Sequence, residues 1–186
     1  MLSLALGHWD EALRQIQASL ALDPLDPDVF QNLMEIELGR GHLAEAEAAI
    51  RRSLDISPNY GYGHFLLGFV KLLRGDANAA LLEMQQESTE DGHQEGLIIV
   101  YFALGRRAES DAALNRMLKE KADTAAYSIA VVYAFRRQTD EAMHWLARAY
   151  AQKDAFLPFA KAELSPTILA ADPRFKAFLR KMNLPE

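Results

Sequence analysis

The chain has 186 residues, half of them hydrophobic and a quarter charged, an ordinary soluble composition with enough length for one sizeable core or a short solenoid. It has no cysteine, which excludes disulfides, thiolate metal sites and a cysteine nucleophile and fits a reducing, cytoplasmic setting. A net charge of −6 argues against binding nucleic acid, and the longest apolar runs, 97–104 and 129–135, are far shorter than the ~20 residues a membrane helix needs, so no membrane contact is expected.

Residues 1–6 are apolar but lack a charged flank and are too short for a secretory signal. They supply only the end of a first helix, so the chain starts in the middle of a structural unit and a truncated N-terminus is expected. A helix over 8–21 follows, with Leu13, Ile16 and Leu20 on one face. Asp23-Pro24 closes it, because the residue before proline is pushed out of the α region. Helix pairs are expected at 27–39 with 42–56, 60–74 with 76–88, 92–104 with 106–120, and 123–135 with 138–152. After 152 the prolines 158, 166 and 173 cut the chain into short pieces. Asp172-Pro173 then starts a last helix near 172–182, carrying Phe175, Phe178, Leu179 and Met182 on one stripe.

The pairs repeat. Gly7, Gly41 and Gly75 are 34 residues apart, as are Ala12, Ala46 and Ala80, and Ile16, Ile50 and Met84; Pro24 and Pro58 share the spacing. Later the interval drifts, with 30 residues from Ala80 to Ser110, and Arg137 replaces the turn glycine. Small residues at 46, 68 and 80 mark places where two helices cross closely. A period near 34 with Leu-Gly, Ala-x3-apolar and a closing proline is the signature of a helix–turn–helix array.

These residues resemble the tetratricopeptide repeat family over about residues 2–152, most strongly at 27–88. The end of the chain, from Tyr101-Phe102-Ala103-Leu104-Gly105-Arg106 through Asp172-Pro173-Arg174-Phe175, is similar to the C-terminal segment of large bacterial regulatory proteins of that family. The resemblance implies an all-α fold, a right-handed superhelical solenoid of antiparallel helix pairs. Residues 1–152 are read as the array, a half repeat plus four pairs of which the last two diverge, and 153–186 as a cap on the last repeat. It also implies a protein-interaction arm with no catalysis and no cofactor.

Family members bind extended peptides in a concave groove lined by the first helix of each pair. Helical spacing places Asp28, Gln31 and Glu35 on that face of the first full pair, Tyr62, Phe65 and Phe69 on the next, Glu95, Ile99 and Phe102 on the third, and Tyr127 and Val131 on the last. Such a groove is acidic at its start and aromatic in its middle and suits a peptide with basic and apolar side chains. The same aromatic stripe is equally readable as interior packing. A carboxylate clamp, as some members have, is not expected: Asn32 fits it, but Tyr62 and Leu66 stand where its cations belong.

Other motifs carry less. Gly61-x-Gly63-x4-Gly68 has the wrong spacing for a dinucleotide loop and no preceding strand. Glu90/His93 and Glu141/His144 have a metal-bundle spacing without the further glutamates, and the second pair should point into solvent beside the crossing residue Ala142. His8 and His42 share one turn slot, and His64 is read as packing. No hydrolase or phosphate-loop motif occurs. The sequence thus points to a non-enzymatic scaffold for a protein or peptide partner. The alternative is a homo-oligomerisation module, associating through an exposed apolar edge at Leu2, Leu4 and Leu6.

Overall fold

The computed structural model describes residues 8–164 and 167–184, apart from the side chain of Ala162, and all regular structure among them is helical. The Leu2, Leu4 and Leu6 edge lies outside the described residues. Among the described residues nine helices precede the tail: α1 (Trp9–Leu22), α2 (Pro27–Gly39), α3 (Leu43–Ile56), α4 (Gly63–Leu73), α5 (Ala77–Met84), α6 (Glu90–Ala103), α7 (Arg107–Lys121), α8 (Ala126–Phe135) and α9 (Thr139–Gln152). The tail folds as a 3₁₀ turn at Leu157–Phe159, α10 (Ala160–Leu164), a second 3₁₀ turn at Ile168–Ala171 and α11 (Pro173–Lys181). Two compact units emerge, residues 1–96 and 97–186. The end of the paired helices at 152 falls inside the second unit.

Within a pair the turn is set by the backbone. Gly41, Gly75 and Gly105 take φ of 79°, 86° and 75°, and Arg137 takes 62° at the matching position. The next residue closes each helix by donating its N–H five residues back: His42 to Glu37, Asp76 to Lys71, Arg106 to Tyr101 and Gln138 to Tyr133, at 2.8–3.0 Å. This is the Schellman arrangement, which needs a left-handed residue and so favours glycine. That next residue is also the N-cap of the following helix. Asp26 and Asp76 cap with their side chains, accepting from Asp28 N and Ala79 N at 2.9 Å.

In the first unit, α2 packs on α3 and α4 on α5, with α1 against α2 and α3 against α4. Ala12, Ile16, Val29 and Ile36 form one cluster with Trp9, Leu13, Leu20 and Leu33 beside it. Ala46 and Ala80 are fully buried, as the crossing requires. A Cβ on Gly68 would meet Met84 Cγ at 2.9 Å and the Ala80 carbonyl oxygen at 3.1 Å. Helix α5 ends at Met84, four residues before the sequence suggests, because the chain turns back to cap α4. The Glu87 carboxylate accepts from Tyr62 N at 3.2 Å and Phe65 N at 2.9 Å. It also takes Thr89 N and Oγ1, each at 2.8 Å.

In the second unit, Ser110 takes the alanine slot and donates to Ile98 O at 2.7 Å. Helix α8 packs on α9 and is buried at Ala126, Tyr127, Ile129, Ala130, Val131, Val132 and Ala134. Such all-round burial needs cover beyond α9, and α10 and the second 3₁₀ turn both pack on α8. Asp172 caps α11 by accepting from Arg174 N at 2.8 Å, and Phe175, Phe178 and Leu179 are buried.

Candidate functional site

In the first unit, α2 carries Gln31 and Glu35 one turn apart, with Asp28 one turn earlier. The Gln31 amide donates to Glu35 Oε1 at 3.0 Å. Tyr60, in the connection after α3, brings its hydroxyl to 2.6 Å from Asp28 Oδ1 and 2.5 Å from Gln31 Oε1. Glu35 is 7% exposed, and burial pushes its carboxyl up to about 7 against the opposing pull of the Gln31 hydrogen bond. Tyr60 was not among the expected site residues. Only its hydrogen bonds to residues 29 and 32 positions away reveal it, and no local pattern encodes them.

The N-cap of α4 is Tyr62, whose φ of 61° is left-handed and whose backbone N–H is held by Glu87. Its ring meets Phe65 edge-on at 6.0 Å, and Phe65 lies 6.2 Å from Phe69. Burial, with the nearby Glu95, Asp91 and Glu87 carboxylates, pushes the Tyr62 hydroxyl up to about 12. Phe65, Phe69 and Glu95 are buried, whereas Tyr62 is half-buried. His64 does more than pack: its Nδ1 lies 2.9 Å from Glu83 Oε2, and Lys71 pairs with the other carboxylate oxygen. Burial works against charge on Glu83, but Lys71 and His64 hold its carboxyl below the usual range.

In the second unit, Ile99, Tyr127 and Val131 are buried. Phe102 is half-buried, with the Arg107 guanidinium 3.8 Å and that of Arg136 5.2 Å from its ring centre. Tyr127 is enclosed by the tail. Its N–H donates to Asp154 Oδ2 at 3.2 Å, its hydroxyl to Glu163 Oε2 at 2.7 Å, and its ring stacks on Phe156 at 6.4 Å.

Of the eleven expected groove residues, then, Asp28, Gln31, Tyr62 and Phe102 reach solvent, and Glu35, Phe65, Phe69, Glu95, Ile99, Tyr127 and Val131 lie behind the surface. Burial of this kind is produced as helices stack, which a single-helix spacing rule does not see. Glu141 and His144 are exposed, as their place beside Ala142 requires. Among the described residues no three His, Asp or Glu side chains converge on a point that would hold a metal.

No family model matches the chain, and no curated protein matches it. Solved structures do. A thermophilic TPR protein of Thermus thermophilus is 24% identical, with 87% of this chain and 92% of that one covered and a TM-score of 0.61. A tetratricopeptide repeat protein of Parabacteroides merdae is 15% identical, with 95% and 72% covered and a TM-score of 0.60. PilW, a type IV pilus biogenesis factor, is 16% identical, with 94% and 84% covered and a TM-score of 0.58. The fold of this chain is the tetratricopeptide-repeat fold, an all-α array of helix pairs.

Proposed function

We propose that this chain is a non-enzymatic protein-interaction scaffold that holds an extended segment of a partner against the first helices of its repeats, as an arm of a larger regulatory protein. The supporting observation is the half-exposed Gln31 on α2 and Tyr62 at the N-cap of α4, set over a buried acidic and aromatic layer of Glu35, Phe65, Phe69 and Glu95. A surface with that layering offers polar rim contacts over an aromatic and acidic floor. Phe65 and Phe69 are poor positions for a test, since truncating a buried phenylalanine costs about 3–5 kcal/mol and would unfold the unit first.

The test is a photo-crosslinking amino acid placed at Tyr62 and, separately, at Ala48, which is exposed on α3. In cells, discrete cross-linked partners should form from position 62 and not from 48. Equal yields from both, or none from 62, would overturn the groove reading.

A second reading, self-association, is favoured by Leu22 and Leu25, which are 89% and 59% exposed where the chain leaves α1. A strictly monomeric mass in solution scattering at high concentration would remove it.

A further inference from the structure

Residues 1–96 hold sixteen Asp and Glu against six Lys and Arg, whereas residues 97–186 hold ten against fourteen. The six cations of the first unit are already engaged. Arg14 pairs with Glu11, Arg40 with Glu37, Arg51 and Arg74 with Glu47, and Lys71 with Glu83. Arg52 lies over the Phe30 ring. None of them reaches Glu35. Its Oε2 is fully buried and has no hydrogen-bond partner among the described residues.

The hydrogen-bond count around Glu35 adds a second point. The Tyr60 hydroxyl has one proton but stands within bonding distance of both Asp28 Oδ1 and Gln31 Oε1, so it satisfies only one of them. Turning the Gln31 amide over resolves this. Its NH₂ then donates to the Tyr60 oxygen, Tyr60 donates to Asp28, and the Gln31 carbonyl faces Glu35 Oε1 at the same 3.0 Å. That chain of bonds is complete only when Glu35 itself carries a proton to donate. With Glu35 ionised, Gln31 must donate toward it, and one close oxygen pair at Tyr60 is left without a proton.

We propose that Glu35 is a proton-for-cation exchange site: it keeps a proton in the free chain and releases it to solvent when the ammonium of a partner's lysine enters against Glu35 and Gln31. This rests on the groove reading above and names the chemistry of what the groove takes. The exchange balances in charge, since the neutral carboxyl gives one proton to water and the carboxylate then pairs with one ammonium. Lysine suits a recessed acceptor because its four-carbon stem reaches inward while its backbone stays at the surface. Among the described residues the titratable groups around Glu35 are Asp28 on its own helix and Tyr60 from the connection after α3; Glu11 and Arg14 on α1 are paired with each other at the exposed surface, and the chain's amino-terminal charge pulls the Glu35 carboxyl down against the larger effect of burial.

The test is calorimetric titration of the whole chain with a capped peptide of alternating Leu and Lys, run in two buffers of different ionisation heat. Near pH 7 binding should release about half a proton, and affinity should rise about tenfold from pH 6 to pH 8. Glu35→Gln, checked for an unchanged helical signal, should weaken binding about tenfold and abolish proton release. Glu45→Gln, at an exposed acid on α3, should change neither. The same peptide with Gln in place of Lys should not exchange protons. Binding without proton release, or binding unaffected by Glu35→Gln, would overturn the exchange while leaving the groove reading in place. No binding of the Lys peptide would also overturn it, and the groove would then stand or fall on cross-linking at position 62.

Discussion

Met84 fills the space that a side chain at Gly96 would need: a Cβ there would lie 2.8 Å from Met84 Cγ and 3.1 Å from its sulfur. The same methionine presses on Gly68 from α4, so one flexible side chain is wedged between two glycines of successive first helices. Gly96→Ala should lower stability by about 1–3 kcal/mol, read as a drop in urea midpoint at unchanged slope. In a Met84→Ala background the same change should cost less, because the cavity takes up the methyl group. Simple additivity of the two changes would mean that the wedge does not govern this packing.

Arg137 sits where three other turns have glycine, and its φ of 62° is unfavourable for any residue with a Cβ. Its side chain is exposed, so little packing is lost by removing it. Arg137→Gly should stabilise the second unit by about 0.5–1 kcal/mol, the left-handed strain outweighing the added chain entropy of glycine. Gly105→Ala, at the matching turn, should move stability the other way. Thermal melts of the pair decide it, and a loss on Arg137→Gly would refute the turn argument.

Arg136 is a buried cation held from three sides. It donates to Ser110 Oγ at 2.6 Å and to Gln138 Oε1 at 2.9 Å, and it pairs with Asp111. Ser110→Ala removes one acceptor from Arg136 and the donor to Ile98 O, and should cost about 1–3 kcal/mol. Replacing Arg136 by Met in that background should recover part of the loss, since the uncompensated charge leaves with it. A further drop on adding Arg136→Met would show that the guanidinium stabilises independently of Ser110.

Stability should also report on Glu35. Its carboxyl sits near 7 in the folded chain against 4.5 for a free glutamate, so the folded state binds the proton more tightly. The stabilisation this gives is complete below pH 4.5 and is lost as pH rises through 7. The total is about 3 kcal/mol between those limits. Glu35→Gln should flatten that slope and be the more stable protein at pH 8, as chemical denaturation at several pH values would show. Parallel curves for the two proteins would rule out burial as the cause.

The repeat spacing made the helix pairs, their turns and the small residues at 46, 68 and 80 legible, because each is fixed by neighbours in sequence or by a 34-residue period. Arg137 could be placed at a glycine position for the same reason. What stayed hidden depends on distant partners. Glu87 and Asp154 cap helices by accepting from Tyr62 N and Tyr127 N, 25 and 27 residues earlier, and Tyr60 joins α2 across about thirty. The sequence leaves burial of the first-helix faces undecided, since the stripe at 62, 65 and 69 reads equally as groove lining or interior packing. Phe69 and Val131 follow the spacing of an exposed stripe but are covered as helices stack, and Tyr127 is covered by a tail whose pairing no period announces.

The N-caps of α1, α3, α5, α7 and α9 are His8, His42, Asp76, Arg106 and Gln138, five residues with little chemistry in common. Their backbones nonetheless agree, with ψ of 66°, 72°, 76°, 63° and 78°. The interval between the third and fourth of them is 30 residues instead of 34, and the shortfall appears in α5, which has eight residues where α3 has fourteen. The joint is therefore the invariant of this architecture and helix length its free dimension. Differences in length fall along the rods and leave alone the hinges that keep the count, so lengthening α5 toward α3 should leave the turns on both sides of it unaltered.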